Sequence, residues 1–157
     1  MRKLFAAGHA HRKYLRQIFV AMDITAPLYW WKEFDTYKVG TTANSCSTMH
    51  KIAAKEFELS DFSTEHLVGL SIAALQGVLD VMNLERKHFL VTHDKDCWWQ
   101  MIQLLPSSYN QRRTVTMTYE NVMNMLDYRE GHKLDEWREF CEILRALPHV
   151  EVIRNGK

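Results

Sequence analysis

The strongest constraint in this chain is an alternation. From Arg112 to Tyr119, Thr114, Thr116 and Thr118 fall on one side of an extended backbone, and Val115, Met117 and Tyr119 fall on the other. Strand side chains repeat every two residues, so this run predicts a strand with one face in a core and one toward solvent. Ile18, Val20, Met22 and Ile24 alternate in the same way and predict a second strand ending at Pro27. Most other apolar residues recur at helical spacing. Leu28, Trp31, Phe34 and Tyr37 follow Pro27, which suits a first helical turn because its missing N–H is not needed there. Leu70, Ala73, Ala74, Val78, Val81, Met82 and Leu84 trace a long amphipathic helix between Leu67 and His93. Shorter helices are predicted over residues 2–11, 94–105, 120–128 and 134–147, with Pro106 and Gly131 as breaks. Ser60 to His66 (S-D-F-S-T-E-H) predicts a helix entry capped by Ser60 or Ser63. Thr41 to Thr48 is small and polar and predicts no regular element. The pattern is that of a helix-rich α+β domain with a small sheet.

Composition narrows the class further. A chain of 157 residues fits one domain that buries roughly 70% of its unfolded surface. Twenty Lys+Arg against 19 Asp+Glu leave a net charge of +1, which argues against a main role on bulk nucleic acid. The basic cluster Arg2, Lys3, Arg12, Lys13 and Arg16 then reads as solvated helix surface. No run approaches the roughly 18 apolar residues of a membrane span, and the first residues lack the hydrophobic region of a signal peptide. Cys46, Cys97 and Cys141 form no C-x-x-C pattern and read as reduced thiols. A soluble, cytoplasmic protein is expected.

Familiar catalytic signatures do not occur. The eight histidines form neither an H-E-x-x-H motif nor a Cys/His ligand spacing, so no metal is expected. There is no G-x-S-x-G elbow, Walker loop or G-x-G-x-x-G. Trp30-Trp31 and Trp98-Trp99 sit on predicted helices, where neighbours point about 100° apart and one of each pair joins the core. Arg112 at the mouth of a strand and Arg129 at the end of the next helix are better candidates. Guanidiniums fixed on rigid elements suit an anion or a uracil edge, although two solvated arginines would show the same pattern.

These residues carry a resemblance. From Leu105 to Arg129 the chain is similar, without a gap, to the C-terminal half of the flavin-dependent thymidylate synthases. That family has L-P, an Arg entering a Thr-rich strand, a helix with Met and Leu, and an Arg after it. Arg112 and Arg129 fall on the two family arginines that hold the deoxyuridylate substrate. His132 and Glu136 resemble the family's H-A-Q-W-E helix start, with Leu134 in place of Gln. Upstream, Ala26-Pro27 and the aromatic helix through Phe34 resemble the A-P entry and R-Q-W helix. The family signature R-H-R-x-x-S-x-N-E-x-S-x-R is answered here by T-Y-K-V-G-T-T-A-N-S-C-S-T-M. Asn44 and Ser47 match its Asn and second Ser, and Thr42 replaces the first Ser. Ser45 replaces its Glu, Met49 its closing Arg, and Lys38 is the one cation left from R-H-R.

The resemblance spans roughly Phe19 to Leu147. It implies a single domain over 1–157 that is shortened at the N-terminus, a mainly antiparallel sheet, and a homo-oligomer, a tetramer in that family. It also implies a pyrimidine nucleotide bound by Arg112, Arg129, Ser47 and Asn44, and FAD faced by Lys38 and His50. The implied reaction is reductive methylation of deoxyuridylate, using methylenetetrahydrofolate, reduced flavin and NADPH. No catalytic residue is assigned, because this chemistry needs no protein nucleophile. The alternative is a catalytically inactive interaction protein, phage-encoded and acting on a host protein. The missing cations separate the two, at about 1.5–3 kcal/mol per charged hydrogen bond.

Overall fold

The structure, a computed structural model, describes residues 2–154. Met1, residues 155–157 and the Arg2 side chain of the basic cluster lie outside the described residues. In chain order the elements are α1 (Arg2–Ala6), β1 (Phe19–Pro27), α2 (Leu28–Phe34), β2 (Thr41–Ser45), α3 (Thr48–Lys51), α4 (Leu70–Thr92), α5 (Lys95–Leu104), β3 (Asn110–Thr118), α6 (Tyr119–Arg129), α7 (Asp135–Arg145) and α8 (Val150–Arg154). The three strands form one small antiparallel sheet in the order β1-β3-β2. Its register is fixed where Tyr119 N–H donates to Ile18 O (2.9 Å) and where Leu28 N–H donates to Tyr109 O (3.0 Å). Both long strands run directly into a helix, and both bury their last inward residues, Ile24 and Ala26 on β1 and Val115 and Met117 on β3.

The chain divides into two compact units. The first comprises Met1–Ile24, Lys32–Asn44 and Thr114–Lys157. Its interior is built on α6 and α7, where Val122, Met125, Leu126, Trp137 and Leu144 are fully buried. Phe34 stacks on Trp137 (centroids 6.3 Å apart) and meets Phe140 edge-on at 6.2 Å. Such aromatic pairs add about 0.5–1.5 kcal/mol to their area burial. Thr118 caps α6 by accepting from Asn121 N–H.

The second unit comprises Thr25–Trp31 and Ser45–Arg113. Leu75, Leu79 and Met82 of α4 pack with Met101, Ile52, Phe57 and Phe62. The helix entry expected at Ser60 or Ser63 is not formed there. Residues Leu59–Asp61 make a single 3-10 turn, and α4 starts at Leu70. The reason is strand-like pairing: Phe62 bridges Tyr109, and Ser63 N–H donates to Ser108 O at 2.9 Å. The small polar run after Gly40 also differs from expectation, since Thr41–Ser45 is an exposed edge strand. Its polar side chains suit an edge, which must discourage pairing with other chains. Among the described residues no helix is long and apolar enough to cross a membrane.

Candidate functional site

The first unit holds a turn, residues 36–40, in the stretch that answers the family signature. Tyr37 N–H donates to Phe34 O (3.0 Å), so the turn leaves α2 from a residue locked in the aromatic core. Its far end is pinned by Asn121, whose Nδ2 donates to Val39 O at 2.7 Å. Asn121 Oδ1 also accepts from Thr118 N–H (3.2 Å) and Thr118 Oγ1–H (2.6 Å). One buried amide therefore caps α6 and ties the turn to it. Gly40 is required at this point: it has φ 75°, and a Cβ there would lie 2.9 Å from Asn121 Oδ1.

Two clefts flank this turn. The larger, about 350 Å³, is lined by Arg16, Tyr37, Lys38, Glu120, Asn121 and Asn124, among others. The smaller, about 190 Å³, shares Tyr37 and Lys38 and adds Asp35 and Thr41. Arg16 is committed, with Nε 2.7 Å and Nη2 3.1 Å from the two oxygens of Glu120. That bond raises the guanidinium pKa above its ordinary value. Lys38 and Asn124, by contrast, have no hydrogen-bond or ion-pair partner among the described residues. Thr41 Oγ1 is buried and likewise lacks a partner. A buried unsatisfied hydroxyl costs about 1–3 kcal/mol, so its presence beside a cleft points to a ligand atom.

Of the expected nucleotide residues, Arg129 lies in this unit but is engaged. Its Nη1 is 2.5 Å from Glu33 Oε2, its Nε donates to Tyr37 OH (3.0 Å), and its Cζ lies 4.9 Å from the Trp137 ring centroid. His132 Nδ1 accepts from Leu134 N–H (3.1 Å), which leaves Nε2 to donate to Glu33 Oε2 at 3.1 Å. Arg129 thus braces α6 against the C-terminal end of α2. Asn44 is exposed on β2.

In the second unit Ser47 caps α3 by accepting from His50 N–H at 3.4 Å, so the structure brings these two predicted residues together. Arg112 is exposed on β3. Its neighbour Gln111 donates to Thr48 Oγ1 (2.8 Å), and Arg113 lies over the Trp31 ring with Cζ 4.3 Å from the centroid. Trp30 and Trp31 are both buried, where only one of the pair was expected in the core; Trp31 can be buried because its Nε1–H donates to Gln111 O at 2.9 Å. Trp98 Nε1 donates to Met49 O at 3.0 Å, while Trp99 is partly exposed.

Sequence reasoning passed over Asn121, Asn124 and Thr41. The signal for the first two was present: two asparagines three residues apart, among the apolar residues of the middle of α6, share one face. Thr41 could not be singled out, because its loss of hydrogen-bond partners exists only in the folded chain.

Two solved structures are similar over nearly the whole chain. Both are crystal structures of the flavin-dependent thymidylate synthase ThyX from Helicobacter pylori, complexed with FAD and dUMP. The TM-score is 0.63 and the identity 13% in each, covering 95% and 96% of this chain and 84% of the ThyX chain. The fold is that of a flavin-dependent thymidylate synthase. No family model matches the chain, and no curated protein matches it. The likeness to ThyX is therefore one of fold, and what the chain binds must be argued from its own residues.

Proposed function

We propose that this chain binds a pyrimidine nucleotide of the deoxyuridylate class at the turn of residues 36–40. The observation that carries the proposal is the set of unpartnered polar groups around that turn: the Lys38 ammonium, the Asn124 amide and the buried Thr41 hydroxyl. Lys38 supplies the charge that a phosphate needs, since Arg16 is already neutralised by Glu120. Asn124 supplies a donor and an acceptor side by side, which complements the N–H and C=O of a uracil edge. Thr41 gains a partner from the nucleotide. ThyX, which shares the fold, is a structure with dUMP bound, and this supports the choice of ligand.

At the turn of residues 36–40 we infer a mononucleotide rather than FAD. The larger cleft lies near the lower end of the roughly 300–1,000 Å³ of ligand pockets, which suits a mononucleotide better than a dinucleotide. Lys38 is the one cation from Thr36 to Met49, where the diphosphate of FAD would need several charged donors. Reductive methylation is accordingly not assigned to the chain.

The partner we propose is a second copy of the chain. Leu70, Ala74, Gly77, Val81 and Leu84 of α4 are all exposed and follow the alternating four- and three-residue spacing of a helix–helix seam.

Thermal melting with deoxyuridylate tests the nucleotide reading. A ligand at 100 times its Kd stabilises by about 2.7 kcal/mol, worth about 5–10 °C for a chain of this length. Lys38→Gln and Asn124→Ala should each remove most of that rise. A wild-type chain whose melting does not respond to deoxyuridylate would overturn the proposal.

A further inference from the structure

The turn that joins α4 to α5 in the second unit carries a group of side chains with no part in the nucleotide cleft. His93 ends α4 in the left-handed conformation (φ 55°) and donates its N–H to Phe89 O at 2.8 Å. Asp94 then starts α5 at once by accepting from Asp96 N–H at 2.9 Å. This tight connection brings the last turns of α4 over the first turn of α5. Glu85 and His88, three residues apart, share one face of α4. Cys97 is the third residue of α5. A Glu85 carboxylate oxygen, a His88 ring nitrogen and Cys97 Sγ all lie within 4.8 Å of one another.

We propose that Glu85, His88 and Cys97 form a site for a divalent transition metal of the zinc class. The donor set is the first reason. A thiolate and an imidazole favour zinc or cobalt, and they disfavour magnesium and calcium, which prefer oxygen ligands throughout. Geometry is the second. Tetrahedral bonds of about 2.0–2.3 Å place ligand atoms about 3.3–3.8 Å apart. The observed group needs only a contraction of about 1 Å from that limit of 4.8 Å, within reach of side-chain torsions at partly exposed positions. Electrostatics is the third. The Cys97 thiol donates to the Glu85 carboxylate, and this bond above all, then burial, with Asp94 and Asp96 adding least, raises its pKa; the same carboxylates make the turn a negative environment for a cation.

On binding, the Cys97 S–H proton passes to solvent, a metal–sulfur bond replaces it, and about five of the six waters of the hydrated ion leave as it takes three protein ligands in tetrahedral geometry. The remaining position keeps water. The site clamps α4 to α5, and the signature spacings sought in the sequence could not show it, because two ligands precede the turn and one follows it.

Tag-free protein, stripped with a chelator and titrated with Co²⁺, tests the proposal. One equivalent should bind, with a thiolate-to-cobalt charge-transfer band in the near ultraviolet and tetrahedral d–d bands in the visible. Zn²⁺ should bleach both. Cys97→Ser should lose the charge-transfer band, His88→Ala should weaken binding roughly tenfold or more, and Cys46→Ser should change neither. Circular dichroism of each variant separates loss of ligands from loss of fold, and a conservative Glu85→Gln offers a second probe of the same site. A cobalt spectrum without charge transfer in the folded wild type, or one that survives Cys97→Ser, would overturn it.

Discussion

Arg129 illustrates what a residue's place in the sequence leaves unsaid. Its position at the end of a helix after a Thr-rich strand is plain from the sequence, and so is its match to a family arginine. Its counter-ion is not, because Glu33 lies 96 residues earlier and only folding brings it to 2.5 Å. With Tyr37 and Trp137 completing the contact, the guanidinium is a brace between elements. Removing one member of a largely buried, hydrogen-bonded charge pair typically costs several kcal/mol. Discounting for the partial exposure of both partners, Arg129→Met should lower stability by about 2–3 kcal/mol in urea denaturation while leaving the deoxyuridylate dissociation constant in place. Glu33→Gln combined with Arg129→Met should cost less than the two single changes together. Tyr109 supplies a pH prediction. Burial above all, then Asp61, raises its phenol pKa, and Lys55 opposes this. The folded state therefore holds the proton more tightly than the unfolded chain. That contribution is complete below the ordinary tyrosine value and is lost as pH rises through the folded one. Urea midpoints should fall above about pH 10, and Tyr109→Phe should flatten that part of the profile.

At the scale of elements, α4 was legible as a long helix and illegible as to which face it buries. The apolar positions of its sequence merge two stripes. Leu75, Leu79 and Met82 are buried in the second unit, whereas Leu70, Val81, Leu84 and Val91 are exposed. Periodicity alone cannot rank two apolar faces of one helix, since either would serve as a core. Gly77 on the exposed stripe sharpens the point. A Cβ there would meet nothing within 4 Å, so packing inside the chain does not require a glycine that costs about 1 kcal/mol relative to Ala. Close approach of a second helix in the proposed seam would. Gly77→Ala should raise the stability of the monomer by about 0.5–1 kcal/mol while weakening association through the proposed seam. Leu84→Asp should shift the molar mass measured by light scattering towards the monomer; a wild-type chain that is already monomeric would contradict the seam. The edge strand β2 escaped the sequence for a related reason. Four small polar residues and an alanine carry no burial pattern, and it is pairing with β3 that makes them a strand.

At the scale of the whole molecule, the alternation at residues 112–119 and the helical runs around it were enough to place the chain among helix-rich α+β folds. The resemblance around Leu105 to Arg129 then pointed to the fold that the ThyX structures share. The proposed binding site was less legible. Asn44, Ser47 and Lys38 were picked out by motif position, but the polar groups without partners that line the two clefts are Lys38, Asn124 and Thr41. Only the fold separates cations that are spent on internal pairs from those that remain. That distinction is also why the charge balance matters: with Arg16 held by Glu120 and Arg129 by Glu33, Lys38 is the cation that the proposed site offers to one phosphate. Calorimetric titration of the purified chain with deoxyuridylate, and separately with FAD, tests this account most directly. It predicts one nucleotide per chain, bound more weakly as salt rises and lost in Lys38→Gln, with no measurable binding of FAD. A chain that retains FAD, or that takes up no deoxyuridylate, would contradict it.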